Sequence, residues 1–163
     1  MFLSKNMEVK LPLVLGSSSV FRCGQLRRLG VDFQTASPDF DETPIAGEHA
    51  GETALRLAEG KARSLAAAFP AALIIGADQV AWCEGRQLGK PMNVANAQQM
   101  LADLSGKRIE FYSAIVLLNT ASGRIQRHVD NTSVVMRALT DGQIKRYLAR
   151  EPDAVYCAGA AKS

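Results

Sequence analysis

Residues 11–36 read LPLVLGSSSVFRCGQLRRLGVDFQTA, and this stretch sets the fold class. Leu11–Gly16 is a short apolar run of the kind that forms a buried strand. The serines after it offer an N-cap for a helix running to Leu29, because a serine hydroxyl satisfies a free N–H of the first turn. Gly30 suits the left-handed residue that closes a helix, and Val31–Ala36 reads as a second strand. Strand, serine turn, helix and strand in that order open an α/β protein.

Working outward, Ser37–Gly51 is acidic and contains Pro38, Pro44 and Gly47, the composition of a loop. From Glu52 to Phe69 the apolar residues Leu55, Ala58, Ala62, Leu65 and Ala66 recur at helical spacing, and Pro70 ends the segment. Ala72–Ala81 (ALIIGADQVA) is a buried strand whose apolar run is interrupted by Asp78-Gln79. Glu84–Gly89 reads as a turn with a short strand, and Asn93–Leu104 as a helix. Two long strands follow, Ile109–Asn119 and Arg124–Arg137, joined by Thr120-Ala121-Ser122-Gly123. Thr140 caps a helix reaching Arg150, and a last strand is expected near Val155–Cys157. The pattern predicts a mixed, twisted α/β sheet flanked by helices. That last strand begins just before the chain stops, so a C-terminal element is expected to be missing.

The chain has 163 residues, 47% of them apolar and 21% charged, enough for a core that needs no disulfide or metal staple. Nineteen Lys+Arg against sixteen Asp+Glu give a mild charge of +3, and no basic run concentrates it. Nucleic acid is therefore not an expected partner, whereas a small anionic ligand is compatible. Cys23, Cys83 and Cys157 are odd in number and form no Cys-x-x-Cys pair, so they read as reduced thiols of a cytoplasmic protein. His49 and His128 are too far apart for a zinc site of standard spacing. Near Lys5 and Lys10 the only apolar run is Leu11–Leu15, and no stretch has the length of a membrane span.

Three sets of residues can carry chemistry. The junction Gly16-Ser17-Ser18-Ser19-Val20-Phe21-Arg22 puts a helix N-terminus and an arginine where a phosphate would be favoured. It is neither a Walker loop nor a G-x-G-x-x-G, and it also reads as a serine cap beside a solvated arginine. Asp78 interrupts an apolar strand, which is costly unless the carboxylate is paired or sits at the strand's exposed end. There it can hold a divalent ion or accept a proton from water; it also reads as a residue that simply ends the strand. Lys61, Lys90 and Lys162 form a basic set, with Lys90 held between Gly89 and Pro91 on a constrained loop. Each of them, like Asp41-Glu42, also reads as ordinary solvated surface. Trp82 and Tyr112 read as packing residues, and a triad of Ser17, His49 and an aspartate lacks a nucleophile elbow.

The ordered set is more specific than its members: Ser17-Ser18-Ser19-x-x-Arg22, Asp41-Glu42-Thr43, Lys61-Ala62, Gly76-Ala77-Asp78-Gln79-Val80, Gly89-Lys90-Pro91, Leu104-Ser105-Gly106 and Cys157-Ala158-Gly159-x-x-Lys162-Ser163. In this the chain resembles the Maf family of nucleoside triphosphate pyrophosphatases, and it is most similar to the branch that hydrolyses 7-methyl-GTP. The resemblance runs from about Leu13 to the last residue. It implies two lobes with a central cleft, an architecture similar to the inosine triphosphatases. It also implies attack of water on the α-phosphorus, with Asp78 as proton acceptor. Ser17, Arg22, Lys61 and Lys90 would line the phosphate cleft, with Glu42 as its acidic member, and Lys162 would join them. Gln79 would bear on base preference. A divalent cation, Mg²⁺ or Mn²⁺, is implied, with its ligands unassigned.

Phe21 offers an aromatic face that suits the positive ring of a methylated guanine. Ala160-Ala161 stands where the family often has a small residue and an aromatic. The resemblance further implies about forty more residues after Ser163, completing a lobe and part of a homodimer contact. A dTTP/UTP preference, or a nucleotide-binding regulator of cell division without turnover, are the alternative functions.

Overall fold

The computed structural model describes residues 10–162; Lys5 and Ser163, both noted above, lie outside them. The first strand, β1, spans Leu13–Gly16, and helix α1 follows at Val20–Arg27. Ser19 caps α1 as the serine run suggests, its hydroxyl accepting from the Arg22 N–H. Gly30 takes a φ of +67° beyond the helix, and β2 occupies Gln34–Ala36.

Helix α2 spans Ala50–Ser64. It starts and ends earlier than its periodicity predicts. His49 caps it through its imidazole, with Glu52 bonding back to the His49 N–H. Past Leu65 the chain continues only as turns, although Leu65 still packs in the core. Strand β3 runs Leu73–Cys83, β4 Arg86–Leu88, and helix α3 Val94–Leu104 with Asn93 as cap. The long hairpin forms as expected, with β5 at Arg108–Asn119 and β6 at Ile125–Val135. Helix α4, Asp141–Arg150, begins on a capping box of Thr140 and Gln143.

One sheet holds six strands in the order β2-β1-β3-β5-β6, with β4 also paired to β3. β1 lies parallel to β2 and β3, while the remaining pairs are antiparallel. The mixed sheet expected from the sequence is therefore present. The strand expected near Val155–Cys157 is not. Pro152–Tyr156 and Ala158–Ala160 form 3-10 turns, and Gly159 and Ala160 take φ of +68° and +53°. Backbone of that hand cannot continue a strand.

The two faces of the sheet bear different layers. Helix α2 covers one, its Ala54, Ala58 and Ala62 packing on Ile74, Val80, Val116 and Leu118. Small residues let this helix approach closely: a Cβ on Gly76 would overlap the Ala58 carbonyl oxygen. The other face is covered at one end only, by α3, α4 and the 3-10 turns around Leu101, Ile144 and Leu148. These two cores form the lobes, with a cleft between them. Among the described residues no helix is long and apolar enough to cross a membrane.

Candidate active site

The cleft opens where β1 stops. β1 pairs with β3 as far as Gly16 opposite Gly76, while β3 continues through Asp78 to Cys83. Asp78 thus lies inside its own strand rather than at its end, which corrects one of the two placements the sequence allowed. The strand end that opens the site is that of β1, which leaves that edge of β3 unpaired from Ala77 to Val80, before β4 pairs with Ala81–Cys83.

Asp78 is 8% exposed, and its burial is compensated by pairing. Lys61, one turn from the end of α2 and only 6% exposed, donates its ammonium to Asp78 Oδ1 at 2.6 Å. The surface reading of Lys61 is therefore overturned: α2 lies flat on β3 and turns this lysine inward. The same ammonium lies 3.1 Å from Glu42 Oε1, whose side chain is 57% exposed. Asp41 shapes the loop that presents Glu42, accepting from the Thr43 hydroxyl at 2.6 Å and the Thr43 N–H at 2.9 Å. Those bonds hold the Asp41 carboxyl below its ordinary range. Arg56 fastens the loop to α2 through two bonds to Glu48 at 2.8 and 2.9 Å. Burial pushes the Asp78 carboxyl above the usual carboxylate range, opposed by the Lys61 bond and, through space, by Arg22.

Around Asp78 lies a cleft of about 470 Å³, lined among others by Phe21, Arg22, Gln79, Lys90 and Lys162. The structure thus gathers the arginine and two of the predicted lysines around the aspartate. Glu42 and Lys61 stand behind Asp78. Ser17 is buried at the end of β1, where its Oγ accepts from the Ser19 N–H at 3.1 Å and holds the turn into α1; Ser19 is the serine that lines the cleft. Lys162 crosses from the second lobe, with its ammonium 5.6 Å from the Phe21 ring centre and 2.6 Å from Glu151 Oε2. Its backbone N–H donates to the Tyr147 hydroxyl at 3.0 Å.

Ser113, His128 and Asp130 also line the cleft and went unnoticed as site residues in the sequence. The signal that finds them is the strand register, which sets Ser113 opposite Gln79 and Asp130 opposite Ser113. A second recess of about 520 Å³ shares Gln79, Ala161 and Lys162 with the cleft, but it is mostly apolar and lined by no carboxylate. Of the two, the first brings a carboxylate and cations together.

Among the described residues no three His, Cys, Asp or Glu side chains converge as a metal cage. Asp78 and Glu42 both face one cation, but it is the Lys61 ammonium, at 2.6 and 3.1 Å. Hard oxygen donors of this number suit Mg²⁺ or Mn²⁺, which complete their shells with phosphate oxygens and water. Glu42, with its side chain 57% exposed, is the carboxylate left with room for such an ion.

A family model described as "Maf-like protein" matches residues 12–163. A 7-methyl-GTP pyrophosphatase of Neisseria meningitidis is 71% identical over 157 residues, covering 96% of this chain and 80% of that protein. Its Neisseria gonorrhoeae counterpart, of the same name, is also 71% identical over the same shares. A 7-methyl-GTP pyrophosphatase of Chromobacterium violaceum is 52% identical over 151 residues, covering 93% of this chain and 78% of that protein.

Proposed function

The chain belongs to the Maf family, and from that premise we propose that it hydrolyses 7-methyl-GTP to 7-methyl-GMP and pyrophosphate. The observation that carries the reading is the buried Asp78–Lys61 pair opening onto a cleft lined by Arg22, Lys90 and Lys162. A nucleoside triphosphate bears about four negative charges, and cations fixed around it stabilise the charge that builds on the leaving pyrophosphate. The activity named for the two 71%-identical Neisseria relatives supports the methylated base.

In the proposed reaction Asp78 takes a proton from water as the water oxygen bonds the α-phosphorus. The bond from the α-phosphorus to the bridging oxygen breaks, and pyrophosphate departs. Lys61 engages Asp78 at Oδ1, so Oδ2 is the atom left to receive the proton. A carboxyl raised above its ordinary range is a stronger base, better matched to work near neutral pH. Arg22, Lys90 and Lys162 bind and orient the phosphates. Glu42, exposed beside Lys61, would hold the divalent ion, which would supply further neutralisation of phosphate charge when bound. Phe21, at the cleft mouth and 36% exposed, offers its ring to the base.

Pyrophosphate release with 7-methyl-GTP, GTP, dTTP and UTP in the presence of Mg²⁺ tests the reading. A preference for 7-methyl-GTP is expected, and Asp78→Asn should lower kcat by about 10²-fold or more with little change in binding. Full activity in that variant would remove Asp78 as the base. Binding of triphosphate without any release by the wild type would point instead to a regulator without turnover.

A further inference from the structure

The sheet face opposite α2 carries a row of polar side chains that the proposed hydrolysis leaves unused. Gln79 on β3 pairs with Ser113 on β5, and Ser113 with Asp130 on β6. Residues directly opposite in an antiparallel ladder share a face, so the three stand in line across the sheet. Gln79 Nε2 donates to Ser113 Oγ at 2.9 Å. Asp130 ends the line two strand spacings away, about 10 Å from Gln79. All three line the cleft.

Among the described residues two carboxylates line that cleft, and they are treated differently. Asp78 is matched by Lys61 at 2.6 Å. Asp130 is exposed and, among the described residues, has no cationic partner; its Oδ2 accepts only from the Thr132 hydroxyl, at 3.1 Å. An uncompensated carboxylate repels a polyphosphate, so it favours binding only where it faces hydrogen-bond donors or positive charge. On a 7-methylguanine nucleotide that part is the base. N1–H and the N2 amino group present two parallel donors to a carboxylate, and N7 methylation spreads a positive charge over the rings. Hydrogen bonds of this charge-assisted kind are the strong ones. Uracil and thymine place carbonyl oxygens on both sides of a single N–H, and a carboxylate repels them.

We propose that Asp130 is a specificity-determining residue that reads the Watson–Crick edge and the positive charge of the purine, with Gln79 and Ser113 forming the floor beneath it. The proposal rests on the 7-methyl-GTP reading above. It predicts selectivity built on the edge strand, remote from the reacting phosphorus.

The test measures kcat/KM for 7-methyl-GTP, GTP and UTP with wild type, Asp130→Asn and Asp130→Glu. Loss of a charge-assisted pair is worth roughly 10–100-fold. Asp130→Asn should therefore lower the 7-methyl-GTP value by about 30-fold, lower GTP less, and leave UTP unchanged or raised. Asp130→Glu should keep the wild-type order of substrates. Equal losses on all three substrates, or an unchanged ratio in Asp130→Asn, would overturn the role of Asp130 while leaving the hydrolase reading in place. A wild type that itself prefers dTTP or UTP would overturn the base assignment and this proposal with it.

Discussion

Replacing Lys61 by methionine keeps the stem that lies against β3 and removes the charge that meets Asp78. In the wild type the ammonium and carboxylate are 2.6 Å apart, with side chains 8% and 9% exposed. Removing one partner of a buried pair costs about 3–5 kcal/mol, because the remaining charge is stranded. The carboxyl can escape by taking a proton, which caps the loss. Protonating a group of ordinary pKa near 3.9 costs about 1.4 kcal/mol per pH unit, so the cap is about 5 kcal/mol at pH 7.5 and about 2 kcal/mol at pH 5.5.

The sign follows from proton counting. Burial already raises the Asp78 carboxyl in the fold, and loss of Lys61 raises it further. The folded variant then holds a proton that the unfolded chain releases, so its stability falls as pH rises between the two pKa values. Urea unfolding at pH 5.5 and 7.5 checks this. Lys61→Met should be penalised by about 3–5 kcal/mol at the higher pH and no more than about 2 at the lower. The double variant Lys61→Met/Asp78→Asn, with no stranded charge, should recover most of the loss at both. A pH-independent penalty, or a double variant as weak as the single one, would refute the account of a charge buried at the site's expense.

Two further outcomes test the frame around that pair. Gly76→Ala would drive a methyl into the Ala58 carbonyl and push α2 from the sheet; the expected cost is about 2–3 kcal/mol, read as a melting temperature lower by roughly 6–10 °C. An unchanged melting curve would mean that α2 has room to spare. Phe21→Ala should cost about 1 kcal/mol in kcat/KM with 7-methyl-GTP and less with GTP, and equal losses would discard base stacking on that ring.

Much of the fold was legible because its signals are local. Ser19, Asn93 and Thr140 all cap helices through their side chains, and Thr120–Gly123 joins the hairpin as its composition suggests. His49 escaped because imidazole is a rarer cap than hydroxyl or carboxylate. Val155–Cys157 looks like a strand by composition, yet Pro152 starts a 3-10 turn and the left-handed pair Gly159-Ala160 closes the next. The site divides in the same way. Arg22, Asp78 and Lys90 stand out as residue types in unusual neighbourhoods, whereas the inward turn of Lys61 depends on where α2 docks. Asp130 depends on register between β5 and β6, over which no neighbouring residue in the sequence has any say.

Asp78 and Gln79 are consecutive on β3, so the pleat sends one toward α2 and the other to the opposite side. Under the proposed assignments, bond cleavage and base choice are anchored to a single rigid rod, back to back. Variation at Gln79, Ser113 or Asp130 would then retune which nucleotide is admitted without disturbing the proposed catalytic pair, whereas inserting or deleting one residue in the rod would interchange the two duties and abolish both.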